Sequence, residues 1–191
     1  MLSYPLIDWR SLVNLENISL PSLALIDYPN ASPFTGTMPK FPTLKKLEIN
    51  FTGPDFSSCW LKNLLVWLRD QKNVEDFRVH GYHRLPIEAV ETIAKFTGAR
   101  LRKLSLTGCE MLKDSCFFNL KARFPKLIYL DVSQCQQLQL SFLAQNFQDA
   151  DTVPTALNTV VVSGVAHETE DAKLMIELAR KATRNQLQIV I

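Results

Sequence analysis

The cysteine and histidine residues are the first candidates for metal binding or redox chemistry in this sequence. Cys109 and Cys116 lie seven residues apart, and Cys59 and Cys135 complete the set of 4 cysteines. Thiolates can bind zinc or form a redox pair, but these spacings lack the close pairing that is typical of a zinc site. Four cysteines are also few for a disulfide scaffold of 191 residues, so we expect reduced thiols.

The second candidate is the histidine pair in RVHGYH, His80 and His83. Two imidazoles could bind one metal ion, yet no acidic or cysteine partner stands at a usual spacing, so the sequence does not favour a metal site. The sequence also has no recognisable Ser-His-Asp arrangement, phosphate-binding glycine loop or carboxylate pair, and only 6 glycines. We therefore expect no enzymatic activity, no cofactor and no bound metal.

An internal repeat organises the chain and must position any site. Apolar residues at positions 1, 4 and 6 of a six-residue core recur every 26 to 30 residues, which indicates a repeat architecture. The cores are LENISL, LKKLEI, VEDFRV, LRKLSL, LIYLDV, LNTVVV and a truncated LQIVI, starting at Leu15, Leu44, Val74, Leu101, Leu127, Leu157 and Leu187. Each core has the alternation of a short strand.

Helical periodicity fills the segments between the cores. Apolar residues recur at helical spacing between Phe56 and Leu68, and again after Pro86, which suits a first helical turn. The faces expected to be buried are Phe56, Trp60, Leu61, Leu64, Leu65 and Leu68 in the first helix and Val90, Ile93 and Ala94 in the second.

Two later helices are predicted with side-chain caps. Asp114 is a candidate cap for a helix that buries Phe117, Leu120 and Phe124. Thr169 is a candidate cap for the last helix, in which the expected buried stripe is Met175, Leu178, Ala179 and Ala182.

Strand–helix units of this length cannot close a core alone, so they must stack and share one apolar interior. The sequence therefore predicts one α/β domain over residues 1–191, a curved solenoid of about six to seven units with a parallel sheet on its concave face and helices on its convex face. Prolines between Ile26 and Phe41 predict an extended loop in unit one, and the turn-rich stretch from Gln145 to Pro154 lengthens unit five.

The fourth unit, LRKLSLTGCEMLKDSCFFNLKARFP, resembles the cysteine-containing leucine-rich repeat of F-box and related proteins. The residues that match this repeat are Cys109 at position 9, Leu112, Asp114, the helical Leu120 and Pro125, with Cys135 and Leu138 repeating part of the match in unit five. Position 9 is instead Thr52, Tyr82 or Val165 in units two, three and six.

This resemblance implies a ribonuclease-inhibitor-like solenoid that acts as a protein-interaction module, often the substrate-recognition part of a ubiquitin ligase. The first unit starts at Leu15, which leaves no room before it for a three-helix F-box. A ubiquitin-ligase adaptor is therefore an expected partner only if an F-box lies outside this chain. The alternative is a repeat-only relative, or a structural subunit of a stable multiprotein complex.

The equivalent positions of Cys109 and Cys135 leave two interpretations. Equal repeat positions in adjacent units lie about 5 Å apart, so the two thiols could form a metal or redox pair. The favoured alternative is that position 9 turns inward, where a small apolar thiol fills the bend. Cys116 and Cys59 belong to convex helices, and neither has a histidine or basic residue at a spacing that predicts activation.

The surface that we expect to be informative is the concave sheet, because positions 3, 5 and 7 point away from the core. Opposite charges should neighbour one another across strands, each pair contributing about 0.2 to 1 kcal/mol. This face is either a self-compensating solvated surface or a docking strip, and arginine and tyrosine, which commonly anchor protein partners, favour docking. The docking strip consists of Lys46, Glu48, Asp76, Arg78, His80, Lys103, Tyr129 and Asp131.

Composition and the chain ends narrow the class of protein. A net charge of +2 disfavours nucleic acid, and no apolar run approaches the roughly 18 residues of a membrane span. The N-terminus has no signal or transit pattern, so we expect a cytoplasmic or nuclear protein. The last strand, with Ile189, Val190 and Ile191, predicts either an edge covered by another subunit or a longer array.

Overall fold

The computed structural model describes residues 14–21, 40–51, 58–147, 156–165, 170–183 and 186–191. Strands and helices alternate along these ranges. The elements in chain order are β1 (Asn17–Pro21), β2 (Lys46–Asn50), α1 (Ser58–Asp70), β3 (Asp76–His80), α2 (Ile87–Thr97), β4 (Lys103–Thr107), a 3-10 helix (Asp114–Phe117), α3 (Leu120–Arg123), β5 (Tyr129–Asp131), α4 (Ser141–Phe147), β6 (Thr159–Val161), α5 (Glu170–Ala182) and β7 (Gln188–Val190).

The strands form one seven-stranded parallel sheet in the order β1 to β7. Equal repeat positions pair across the interfaces from β1 to β6, so that position 3 forms a single row along the sheet. Strand β7 joins this row with Gln188, one residue earlier than a unit starting at Leu187 predicts. That row is Asn17, Lys46, Asp76, Lys103, Tyr129, Thr159 and Gln188. The predicted α/β class with a parallel sheet is confirmed, in agreement with a leucine-rich repeat. The curved solenoid shape and the extent of the domain stay predictions.

The sheet buries one face because residues alternate sides along each strand. Positions 4 and 6 supply the core beneath the sheet, and helical residues pack against it from the other side. The buried residues at positions 4 and 6 of units two to seven are Leu47, Ile49, Phe77, Val79, Leu104, Leu106, Leu130, Val132, Val160, Val162 and Ile189.

After each strand from β3 to β6, position 8 turns the chain with a left-handed backbone. Gly81, Gly108 and Gly164 have φ of 71°, 67° and 70°, and Gln134 has φ of 59°. A Cβ atom at Gly81 would lie 2.7 Å from the carbonyl oxygen of Phe51, so glycine is needed there for close approach as well as for φ. The turn directs position 9 inward, and Tyr82, Cys109, Cys135 and Val165 are all buried.

The first two helices agree with the predictions in the residues that the structure describes. In α1, Leu64, Leu65, Trp67 and Leu68 are buried. The helix α2 begins at Ile87, with Pro86 as its N-cap, and it buries Val90 and Ile93 while Ala94 is half-buried. Phe56, the side chains of Trp60 and Leu61, the unit-one loop after Ile26, most of the stretch from Gln145 to Pro154, Thr52 and Thr169 lie outside the described residues.

The prediction that Asp114 caps its own helix is wrong. Lys113 holds the N-cap position, and the Asp114 carboxylate instead accepts hydrogen bonds from the Gln139 backbone N–H, at 2.8 Å, and from the Ser141 hydroxyl of the next unit. A carboxylate can join two turns here because the next unit presents free donors one strand spacing away. The carboxylate of Asp114 thus links unit four to unit five.

The helix predicted in unit four is interrupted, although Phe117, Leu120 and Phe124 are all buried as expected. Asn119 has a left-handed backbone, with φ of 56°, and separates the 3-10 helix from α3. The buried amide of Asn146 satisfies the groups that this break exposes. It accepts from the Leu120 N–H at 2.7 Å and donates to the Phe117 carbonyl at 2.8 Å.

The stripe predicted for the last helix is confirmed for Ala179 and for the half-buried Met175, which packs against the core, and is wrong for Leu178 and Ala182. α5 buries Ala172, Ile176 and Ala179, whereas Leu178 is 43% exposed and Ala182 is also exposed. Small alanines on the inner face let α5 approach its neighbour α4 closely, and this packing decides the rotation of the helix. Helical periodicity alone did not distinguish this inner face from the neighbouring face that carries Leu178 and Ala182.

The outer edge of β7 is partly covered by the chain itself. Gln188 and Val190 bond to the β6 side, so the carbonyl of Ile189 faces away from β6. The guanidinium of Arg180 on α5 donates a hydrogen bond to that carbonyl at 3.1 Å. This cover comes from within the chain and was not among the alternatives expected from the sequence.

Candidate protein-binding face of the sheet

All eight predicted residues of the docking strip lie on the sheet face opposite the buried positions 4 and 6. Strand register places them in three rows across β2 to β5, separated by single strand spacings. Most are half-buried between their neighbours, while Lys103 is exposed. The strip is therefore one continuous surface, as alternation and the repeat predict.

On β2 and β3 the charges are paired along the strand. Lys46 Nζ lies 2.7 Å from Glu48 Oε2, and the Arg78 guanidinium binds both oxygens of Asp76 at 2.8 Å. The expected cross-strand neighbours are confirmed in register, but the ion pairs between residues of the docking strip run along the strands instead. Residues i and i+2 share a face at about 7 Å, which long side chains span easily.

These pairs shift the titration of two side chains. The hydrogen bond from Lys46 is the main reason that the pKa of Glu48 lies below its usual value. The hydrogen bonds to Asp76 are the main reason that the pKa of Arg78 is raised, and the charge of Glu48 on the adjacent strand adds to the effect. Each cation of this part of the strip is thus neutralised by an acid beside it.

On β4 and β5 the carboxylate of Asp131 is held by uncharged donors. Its Oδ1 accepts from the Ser133 N–H at 3.0 Å and the Ser133 hydroxyl at 2.6 Å. Its Oδ2 accepts from the Tyr129 hydroxyl at 3.3 Å and the Ser105 hydroxyl at 3.5 Å. Burial, followed by the charge of Asp131, raises the pKa of Tyr129.

The serines of this network were not predicted as site residues. Ser105 and Ser133 are buried, with exposures of 3% and 8%, although they occupy outward positions 5 and 7 of their units. Small hydroxyls next to an acid in adjacent repeat positions are the signal that could have identified them. They position Asp131 and Tyr129, and so belong to the face.

His80 lies in the third row of the strip and also lines a groove of about 470 Å³ at the carboxyl-terminal edge of the sheet. His83 lines the same groove, and its Nδ1 lies 3.0 Å from Glu110 Oε1. The next unit thus supplies an acid beside His83, although none stands at a usual ligand spacing in the sequence. Within the described ranges, no group of three or more His, Cys, Asp and Glu side chains could hold a metal ion.

The cysteines at position 9 are core residues. Cys109, Cys116 and Cys135 are free and buried, and the Cys135 thiol donates to the Leu106 carbonyl at 3.0 Å. Burial raises the pKa of Cys135 to about 12 and that of Cys109 well above its usual range. A protonated thiol is a poor metal ligand and nucleophile, which favours the packing interpretation. The side chain of Cys59 lies outside the described residues.

Comparison with known proteins places few limits on this chain. No protein-family pattern and no curated protein sequence matches it. Among solved structures, a chain in the "Crystal structure of Rad7 and Elc1 complex in yeast" is similar, with 17% identity and a TM-score of 0.48. The match covers 78% of this chain and 33% of that chain. None of the helices in the described ranges is long and apolar enough to cross a membrane.

Proposed function

We propose that this chain is a non-enzymatic protein-interaction module of the leucine-rich-repeat type, which binds a protein partner on the docking strip. The observation that carries the proposal is the strip itself, eight polar or charged side chains on one face of a parallel sheet whose opposite face is packed. Tyr129 and Arg78 lie within it, and such side chains commonly anchor partners.

The finer proposal is the substrate-recognition part of an F-box-type ubiquitin ligase, or a repeat-only relative of such a protein. It is supported by the resemblance of units four and five, in which Cys109, Cys135 and Leu112 are buried at the repeat positions. Binding to a ligase adaptor would require an F-box outside this chain. Buried free thiols also support our proposal of a cytoplasmic or nuclear location.

The decisive experiment compares two matched ion-pair deletions. Lys46→Ser with Glu48→Ser removes a 2.7 Å pair from the strip, and Lys173→Ser with Glu170→Ser removes a 2.7 Å pair from the outside of α5. Deleting both partners leaves no unpaired charge, so both doubles should remain folded. Tagged proteins are purified from cells after chemical cross-linking, and the recovered partners are quantified by mass spectrometry.

We expect the strip double to lose partners that the α5 double retains, with cross-links mapping to the sheet face. Equal partner sets for both doubles, or cross-links confined to the convex helices, would contradict the proposal. Thermal unfolding of each variant excludes loss of the fold as the cause.

A second candidate function is a structural subunit of a stable complex, held by the last unit. Leu174 and Leu178 on α5 are 50% and 43% exposed, and Val190 and Ile191 are 38% and 53% exposed. Apolar exposure at one end of the sheet favours assembly. Leu174→Glu with Leu178→Glu should then release the chain from its native complex in size-exclusion chromatography, whereas the strip double should not.

A further inference from the structure

Three cations lie in two adjacent units where β4 and β5 begin, at the amino-terminal edge of the sheet. Arg102 and Lys103 are consecutive and exposed, and Lys126 precedes β5 and is exposed as well. The backbone brings the two units together, because the N–H groups of Ile128 and Tyr129 both donate to the Arg102 carbonyl, at 2.8 and 3.1 Å. We call Arg102, Lys103 and Lys126 the basic edge.

The side chains of the basic edge form no ion pair with a described residue, unlike Lys45 at the start of β2. Within the described ranges, none of the three lies within 4 Å of an acid. By contrast, Lys45 pairs with Glu16 at 3.0 Å. Cations that the fold has not neutralised are available for a ligand.

The acids around the basic edge do not cancel it. Asp76, in the same row as Lys103, is bound through both oxygens by Arg78. Glu75 precedes β3 and is the acid nearest in register to Arg102, whose N–H donates to the Glu75 carbonyl, yet no ion pair joins the two side chains. Asp131, whose carboxylate accepts from the Tyr129 hydroxyl at 3.3 Å, is the other acid beside the edge, so three unpaired cations face two acids and the local formal charge is positive.

We infer that the protein partner presents an extended acidic segment, rich in carboxylates, which crosses the basic edge and reaches Tyr129 on the docking strip. This inference rests on the proposed function and specifies the partner's chemistry. Neighbouring strands lie about 4.8 Å apart, and alternate side chains of an extended peptide repeat at about 7 Å, so consecutive acids can meet cations on both units. Tyr129 and the half-buried Ile128 border the cations and suit a peptide.

A carboxylate segment fits this edge better than a nucleic acid. A phosphate backbone is recognised by a long basic track, whereas the basic edge has three cations, is bordered by Glu75, and belongs to a chain of net charge +2. Three charges on two units can instead steer and orient a short acidic peptide, and their contribution should fall with ionic strength.

The test uses a fluorescein-labelled peptide with four glutamates alternating with serines, measured by fluorescence anisotropy with the full chain. One variant reverses the basic edge, as Arg102→Glu, Lys103→Glu and Lys126→Glu. The matched control reverses three exposed lysines away from this edge, as Lys95→Glu, Lys113→Glu and Lys173→Glu, so both variants change net charge equally.

We expect the wild type and the control to bind the peptide alike, and the basic-edge variant to bind about tenfold more weakly in 0.05 M salt. No binding by the wild type, or equal weakening in both variants, would overturn the inference. Tighter binding of an eight-nucleotide single-stranded DNA would assign the edge to nucleic acid instead. Partner recovery on the sheet face tests the proposed function separately, since it uses neither this peptide nor these residues.

Discussion

On β2 and β3 every acid of the sheet face is paired with a cation on its own strand, whereas on β5 the carboxylate of Asp131 is held by hydroxyl and amide donors. In the first half, attraction between side chains cancels the charges. In the second half, hydrogen bonds satisfy the acid without a cation, so Lys103 remains unpaired. The two halves are equally polar in sequence but differ in the charge that they offer to a partner.

The largest expected effect on stability comes from removing the Asp131 carboxylate, which accepts the hydrogen bonds of the β4–β5 half. Asp131→Ala removes the acceptor of the Ser133 N–H, the Ser133 hydroxyl and the Tyr129 hydroxyl, while the buried Ser105 hydroxyl keeps its bond with Thr107. We expect a loss of about 2 to 3 kcal/mol in the free energy of unfolding, measured by urea denaturation. Asp70→Ala, at a partly exposed acid on α1 whose ion pairs with Lys40 and Arg69 are long, should cost less than about 0.5 kcal/mol. Similar losses in both variants would remove the distinction that we draw for Asp131.

A smaller effect is expected from breaking the bidentate pair of the first half. Asp76→Ala leaves the half-buried Arg78 without its acid, and we expect a loss of about 1 to 2 kcal/mol. Asp76→Ala with Arg78→Ala should recover part of this loss, because no unpaired charge remains. A double-mutant cycle measures the coupling, and a coupling indistinguishable from zero would show that the pair is only a surface contact.

The contribution of Tyr129 on β5 to folding stability should decrease at high pH. The pKa of Tyr129 is raised in the fold above its ordinary value of 10.0, so its protonated form is favoured by folding. This contribution is fully present below pH 10 and is lost as the pH rises through the folded pKa. The urea midpoint should therefore fall more between pH 9 and pH 11 in the wild type than in Tyr129→Phe. Parallel curves would contradict the role given to burial and Asp131.

The smallest effect on stability is expected at low pH and involves Glu48 on β2. The pKa of Glu48 is lowered in the fold, so its stabilisation is present above the ordinary value of 4.5 and is lost as the pH falls through the folded pKa. Below pH 4.5 the free energy of unfolding should fall less in Glu48→Gln than in the wild type. The difference should be less than about 1 kcal/mol, because the pair is partly exposed. The same difference should shrink in 0.5 M sodium chloride. A difference that is unaffected by salt would rule out an ionic origin.

The repeat allowed the strand register, the composition of the sheet face and the inward direction of the cysteines to be predicted, because the period and the alternation determine where each residue lies on the backbone. The partners of each side chain in hydrogen bonds and ion pairs could not be predicted in the same way. Glu48 had a cation across the strand and another on its own strand, and only side-chain geometry selects Lys46. The contact between His83 and Glu110, the role of Asp114 and the rotation of α5 depend on packing between units, which one sequence pattern does not encode.

Arg180 gives the end of the sheet a kinetic property. A strand that approached β7 would compete with the guanidinium for the Ile189 carbonyl. Adding a strand is then a displacement reaction with a barrier, and not a simple association. Because one side chain sets that barrier, the rate at which this edge accepts a neighbour can be tuned without altering the strand itself.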